Sequence, residues 1–491
     1  MAVSSTIGRR IGKIIAWLLG TIVILIVALV IFILAFDWNR ARPYVNDKVS
    51  QAIGRPFAIN GDLKVGWQRP VGETGWRGWV PWPRFSAANI TVANPDWTKQ
   101  PQFATLDEIN FEVKVLPLLA HDIVIPAINL VNPSVDLERL LDGRNNWTFK
   151  LPASSGPSEW KLDLHDIAFA KGNVALSDQQ KKVDVKMVID TLGQPIPIGE
   201  AMKQQEAASR SESAQAIGKA GASKLTSQAN AQAASEAAAA SAAAASGASA
   251  TDITASGTTA ASEGASGAVV ASGTSETNPS TTKREIPPYA IGWTIKGTYN
   301  KTPVAGSGKV GGVLALQDAN RPFPVQADVK AGDLHVGLVG TITDPAHLAA
   351  VDLRLWLQGN SMARLYSLTG VTLPDTPPYA TEGRLIGQFK SGGNVFKYEN
   401  FTGRVGGSDL NGSLTYTARE PRPLLQGELV SHLLQFADLA PVIGADSNAS
   451  KAKRGDATAQ PSGRVLPVEE FRTDRWKAID ADVKFTGRRI V

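Results

Sequence analysis

The histidines are the first residues to weigh for chemistry. There are five: His121, His165, His335, His347 and His432. None forms His-Glu-x-x-His or a close pair, so the spacing that lets one helix face hold zinc is absent. Each reads as an ordinary surface or strand residue. The chain has no cysteine, which removes disulfides, thiol catalysis, Cys-ligated zinc and iron–sulfur clusters. Gly306-Ser-Gly308-Lys-Val-Gly311 has the form GxGxxG. A dinucleotide site needs that motif between a strand and a helix, where the helix N-terminus meets the pyrophosphate. Pro303 lies close before it, and Gly312, Val313, Leu314 and Leu316 after it read as a strand, so a glycine-rich hairpin is the expectation. Lys309 precedes Val310, where a P-loop needs Ser or Thr. Carboxylates such as Asp480 and Asp482 alternate with apolar residues and read as a solvated strand face. The expectation is a protein that is not an enzyme, with no catalytic residue, cofactor or metal.

The elements that position side chains are mostly strands. Period-two alternation marks a strand with one apolar and one polar face. Phe111, Val113 and Val115 alternate with Glu112 and Lys114. Val351, Leu353, Leu355 and Leu357 alternate with Asp352, Arg354, Trp356 and Gln358. Ile479, Ala481, Val483 and Phe485 alternate with Asp480, Asp482, Lys484 and Thr486. Shorter runs occur at 123–125, 128–130, 135–137, 167–169, 174–176 and 334–338. Asp142-Gly143, Lys171-Gly172-Asn173 and Asn411-Gly412 read as turns of an antiparallel meander. Trp76, Trp79 and Trp82 fall in a Pro-rich stretch that fits a loop packed on a sheet or an aromatic contact surface. An apolar sheet face must be covered, by a second sheet, by closure into a barrel or by an apolar ligand. Val351, Leu353, Leu355, Leu357, Ile479, Val483 and Phe485 are the candidate lipid-facing residues.

From Ile14 to Phe36 the sequence carries no charge and is mostly Ile, Leu, Val and Ala, long enough to cross a bilayer. No small-residue cleavage site follows it. Arg9, Arg10 and Lys13 precede it, which places residues 1–13 in the cytoplasm. A helix of residues 14–36 therefore anchors a body on the far side, the periplasm in a cell with two membranes. Tyr44, Val45, Lys48, Val49 and Ala52 have helical spacing, and Gly54 with Pro56 ends that helix. A first β-rich region is expected over 37–199 and a second over 286–491. Residues 200–285 are dominated by Ala, Ser, Gly and Thr, which predicts a mostly disordered insert with partial helix over its Ala-rich first half. Residues 444–463 read as a polar loop. The chain ends at Val491 directly after a strong strand pattern, so it is expected to be a piece of a longer protein, truncated at its C-terminus. The net charge of +5 over 491 residues is scattered and gives no nucleic-acid footprint.

Several stretches together resemble the AsmA family of bacterial envelope proteins. They include Asp37-Trp-Asn-Arg40, Arg42-Pro-Tyr44, Gly54-Arg-Pro-Phe57 and Gly61-Asp-Leu63. Further along come Asn94-Pro-Asp-Trp97, Pro133 to Arg139, Asp142-Gly-Arg144 with Asn146-Trp147, Leu373 to Tyr379 and Gly407-Ser-Asp-Leu-Asn-Gly412. Phe471-Arg-Thr473 and Ala478 to Val483 complete the pattern. The resemblance implies an inner-membrane anchor and a long, curved antiparallel sheet open as a groove, similar to bridge-like lipid-transfer proteins. It implies phospholipid as ligand, a role in outer-membrane biogenesis, and a possible outer-membrane or envelope protein partner. The competing reading is a non-enzymatic adaptor for protein targeting to that membrane. The Gly-Ser-Asp-Leu and Asp-Gly-Arg stretches read as turn and strand signatures, not sites.

Overall fold

The computed structural model describes residues 36–70, 73–149, 160–245, 286–316, 318–319, 321–345, 347–365, 373, 376–390, 393–439 and 479–491, with Trp17 and Thr21. The expected 14–36 span lies outside these apart from Trp17, Thr21 and Phe36, as do 246–285 and 444–463. Among the described residues no helix is long and apolar enough to cross a membrane. The chain divides into two units. The first contains residues up to Val131 and Thr148–His165, and the second Asn132–Trp147 and Asp166–Val491.

In the first unit the expected helix runs Arg42–Ile53. Pro43 stands in its first turn, and Gly54 closes it in the left-handed conformation at φ 68°. Strands β1 (Phe57–Ile59), β2 (Leu63–Gln68), β3 (Trp82–Ala93), β4 (Gln102–Glu112) and β6 (Ile128–Val131) form a sheet in which β1 and β2 both pair with β3. β5 (Asp122–Ile125) and β8 (Lys161–Leu164) pair in parallel. Val45 of the helix packs with Ile59, Ala87 and Ile90, the buried core of this unit. Asn39 Oδ1 accepts from the Leu63 N–H at 3.0 Å, and Arg42 donates to the Gly61 carbonyl at 2.6 Å. The Trp-rich stretch divides: Trp82 is buried in β3, whereas Trp79 is 78% exposed with Arg69 over its ring.

The second unit is a long sheet. Its strands are β7 (Ser134–Arg139), β9 (Ile167–Ala170), β10 (Gly172–Asp178), β11 (Val183–Ile196), β12 (Tyr289–Tyr299), β13 (Thr302–Val310) and β14 (Phe323–Ala331). They continue with β15 (Leu334–Thr343), β16 (Ala350–Gly359), β17 (Tyr379–Gln388), β18 (Val395–Val405), β19 (Ser408–Thr417), β20 (Leu424–Ser431) and β21 (Asp480–Gly487). From β10 to β20 each strand pairs antiparallel with the next. Parallel pairs stand outside this meander: β7 against β10 and β20 against β21. The sheet is therefore mixed rather than purely antiparallel. Among the described residues no pairing closes β21 back on the early strands, so it is open and not a barrel.

Three local expectations are corrected. Gly306 and Gly308 lie in the second arm of the β12–β13 hairpin rather than at its turn, and the segment after β13 makes a 3-10 turn, Val313–Leu316, rather than a strand. Asn411-Gly412 is not a turn either. It lies within β19, where Gly412 at φ 148° passes so close to β20 that a Cβ would meet the Glu428 carbonyl at 2.0 Å. The turn into β19 is Gly406-Gly407, with Gly406 at φ 57°.

The Ala/Ser-rich segment leaves at the end of β11 and returns at the start of β12 without interrupting their pairing. Its first half is helical over Ile198–Ala245, broken at Gly218 (φ 76°, ψ 157°). Arg210 donates to Asn230 at 3.0 Å. Twenty residues of continuous helix would separate them by about 30 Å, so the two helical segments fold back as a hairpin. Ala201, Gln205, Ser209 and Ser213 recur every four residues and are buried. They form one stripe of small or amide side chains, narrow enough for the helix to lie close on a sheet.

Candidate functional site

The alternation of each strand assigns its side chains to faces, and the register joins them across the sheet. One row runs Val135, Val174, Met187, Ile295, Gly306, Val329, Val336, Leu357, Thr381, Gly403 and Leu410, from β7 to β19. The next runs Gly172, Ile189, Trp293, Gly308, Ala327, Leu338, Leu355 and Gly383. A third runs Ile291, Val310, Val325, Gly340, Leu353, Leu385, Tyr398, Leu414, Gly427 and Val483, reaching β21. A fourth holds Phe323, Ile342, Val351, Gly387, Phe396, Tyr416, Leu425 and Ala481. None of these rows contains a charged residue. Most of their side chains are half-buried rather than fully covered.

The candidate residues thus share this face. Val351, Leu353, Leu355 and Leu357 occupy four adjacent rows of β16, and Val483 lies in the row of Leu353. Phe485 pairs with Leu429 and is 45% exposed. Ile479, half-buried, stands just before β21 with the same parity. Two members are packed. Leu353 is 8% exposed, and Leu357 joins Val336 and Leu410 against a cluster of Leu334, Leu365, Tyr379 and Val405. Leu365 comes from the Met362–Leu365 turn between β16 and β17, so one end of the face is capped.

Glycines and rings keep the face level, a feature the alternation alone does not reveal. Trp293 lies over its register partner Gly308, where a Cβ would come within 2.3 Å of the indole. Phe396 lies against Gly387, and Tyr398 and Phe401 stack at 4.8 Å over Gly383. A register shift between Tyr398 and Phe401 keeps both rings on this face. The hydroxyls of Thr381 and Tyr398 bond each other at 3.0 Å.

The opposite face carries the charges, and the helical hairpin covers part of it. Gln205 Nε2 donates to Asp328 Oδ2 at 2.7 Å, and Gln326 donates to Gln205. His335 Nε2 donates to Asp328 Oδ1 at 2.8 Å, while His335 Nδ1 accepts from Gln358, whose amide also reaches the Ser209 carbonyl. Burial opposes ionisation of Asp328, yet the bonds from His335 and Gln205 hold its carboxyl below the usual range. Trp356 donates to Glu382 at 2.9 Å, and Arg354 and Arg210 stand at 3.3 and 3.6 Å from that carboxylate. Trp356 therefore faces away from the apolar rows, as its alternation requires, but is 2% exposed rather than solvated. At Gly337 the helix comes closest to the sheet backbone: a Cβ there would meet Ser209 Oγ at 2.3 Å. The four-residue spacing of Ala201, Gln205, Ser209 and Ser213 was the available signal for this packing. Among the described residues no group of three or more His, Asp and Glu side chains could hold a metal ion.

The short motifs build turns and the strands that leave them. Ser408 and the Gly407 N–H both bond Asp438, and Asp409 accepts from the His432 and Leu433 N–H groups. Asp142 and Arg144 bond across Gly143, and the fully buried Asn146 accepts from the Glu138 N–H. Residues 9–491 match the AsmA family. The chain belongs to the AsmA family. AsmA family protein YhjG of Escherichia coli (strain K12) is 37% identical over 493 residues, covering 98% of this chain and 61% of that protein. The chain therefore spans 61% of the length of this curated relative. No solved structure gives a significant match. For this AsmA chain, family membership supports an envelope-related role.

Proposed function

We propose that this AsmA chain carries phospholipid on the uncharged face of its second unit. In this reading residues 14–36 anchor it in the inner membrane. The body lies in the periplasm and moves lipid toward the outer membrane, supporting assembly there. No chemical step is involved. The observation that carries the reading is the set of rows free of charge from β7 to β21 with half-exposed apolar side chains. Monomeric proteins rarely leave so extended an apolar surface uncovered. Covering the exposed half of one Val or Leu contributes about 1 kcal/mol, so an acyl chain lying over several of them is held firmly without any polar contact.

The test is lipid co-purification. The full chain is purified beside Leu338→Lys and Leu355→Lys, with Lys296→Glu on the other face as control. Bound phospholipid per protein, measured by mass spectrometry, should fall in the first two and persist in the third. Equal amounts in all four while they remain folded would contradict the reading and favour an adaptor acting through protein contacts.

A further inference from the structure

A line of polar contacts joins the helical hairpin to the charged face of the sheet, and each link fixes the next. The Ser209 carbonyl only accepts, so the Gln358 side-chain atom 3.3 Å from it is the amide nitrogen. That same nitrogen stands 2.6 Å from His335 Nδ1. Nδ1 must therefore offer a lone pair, which puts the ring proton on Nε2, where it is donated to Asp328 Oδ1 at 2.8 Å. Gln358 Oε1 is buried without a partner, so the two donor contacts alone set the orientation of the amide. His335 and Gln358 are 4% and 2% exposed, which leaves little access for water to relieve a mismatch.

We propose that His335 is an acid-sensitive latch: the first arm of the hairpin, residues 198–217, holds the ring neutral when docked, and protonation of the ring loosens that arm. A second proton, on Nδ1, sets N–H against N–H at Gln358. Turning the amide gives Nδ1–H an acceptor in Oε1, but sets that oxygen against the Ser209 carbonyl. Either arrangement loses a bond between sheet and hairpin and leaves buried polar atoms mismatched. The docked state therefore binds fewer protons than the released one, and by linkage a falling pH favours release. Histidine is the side chain that ordinarily changes charge between pH 5 and pH 8.

The charged groups on the elements packed around the ring are Asp328 and Lys330 on β14, Asp333 before β15, Arg354 on β16, and Glu206, Arg210 and Glu212 on the hairpin. Lys330 pairs with Glu212, Asp333 with Arg364, Arg210 with Glu206, and both Arg210 and Arg354 with Glu382. Asp328, held below the usual carboxylate range, stays ionised in the histidine range and can face the ring in both states. The difference between the states therefore comes from Gln358 and Ser209. Loosening uncovers Gln326, Asp328 and Gln358 on the face opposite the apolar rows, and the latch does not rest on what those rows carry.

Hydrogen exchange of the full chain in detergent micelles, corrected for the intrinsic pH dependence of exchange, is followed over 198–217 at pH 8 and pH 5.5. A helix of this length is marginal once detached, so its protection reports docking. Protection should fall roughly tenfold in the parent at pH 5.5 and stay unchanged in His335→Gln. Nitrogen resonances of the labelled imidazoles, assigned by loss of one set in His335→Gln, should show the Nε2–H tautomer at pH 8 and lose it over the same pH range. If His335→Gln lacks protection at both pH values, the parent decides: coincident midpoints for ring titration and loss of protection support the latch, and separate midpoints overturn it. Constant protection in the parent, an equal fall in a docked His335→Gln, or a doubly protonated ring beneath a protected arm would also overturn it.

Discussion

Leu353 and Val483 stand in one cross-strand row, joined through Leu385, Tyr398, Leu414 and Gly427. Every residue between them is uncharged. Residues far apart in sequence thus form one continuous strip, which requires that each intervening turn and bulge preserve parity. The irregularity in β18 does this for Tyr398 and Phe401.

Gly337→Val should detach the helical hairpin from the sheet. The new side chain would overlap Ser209 and Gln205, and overpacking of this kind costs about 1–3 kcal/mol. Thermal denaturation should show a lower midpoint, and hydrogen exchange should rise over 198–245.

Glu382→Ala should destabilise the second unit by roughly 1–3 kcal/mol, because it leaves the buried Trp356 indole N–H without its acceptor. Urea unfolding of the variant would measure this. Trp356→Phe in the same background should add little further loss, since the pair is then already broken.

Acid should weaken the fold below the ordinary carboxylate range. Burial raises the Asp409 carboxyl, but the His432 and Leu433 N–H bonds outweigh it and hold the group below its usual value, and Asp328 behaves likewise. A folded-state value depressed in this way contributes stability above the unfolded value, about pH 3.9, and that stability is lost as pH falls through the folded value. Asp409→Asn should therefore lower stability at pH 7 and flatten its decline between pH 5 and pH 2.

Gly308→Val should lift Trp293 from the sheet, since its side chain would occupy the space of the indole. Trp293 fluorescence alone is obscured by the other tryptophans, so the readout is the shift in apolar-dye binding. Dye binding should increase while the sheet's circular dichroism is retained.

Much of this fold was legible in the sequence. Alternation along 351–358 and 479–486 located strands and assigned their faces, because burial on one side demands period two. The short motifs were legible as turns. The meaning of Asn411-Gly412 was not, since the same dipeptide serves a hairpin turn or a glycine that lets strands approach, and only the neighbouring strand decides. The hairpin was obscured by composition: Ala and Ser carry too little apolar surface to announce a buried stripe. Its partners Asp328, His335 and Gln358 lie more than a hundred residues away. The Gly–aromatic pairs likewise depend on cross-strand register, which local pattern does not fix.

The central claim is most directly tested by a photo-crosslinking residue placed at Leu355 and at Val483 in the full chain in cells. Lys484, on the alternate face of β21 and 72% exposed, serves as the control. Phospholipid adducts at Leu355 and Val483 but not at Lys484 are the predicted result. Absence of lipid at both apolar positions in a folded protein, or equal capture at Lys484, would contradict it.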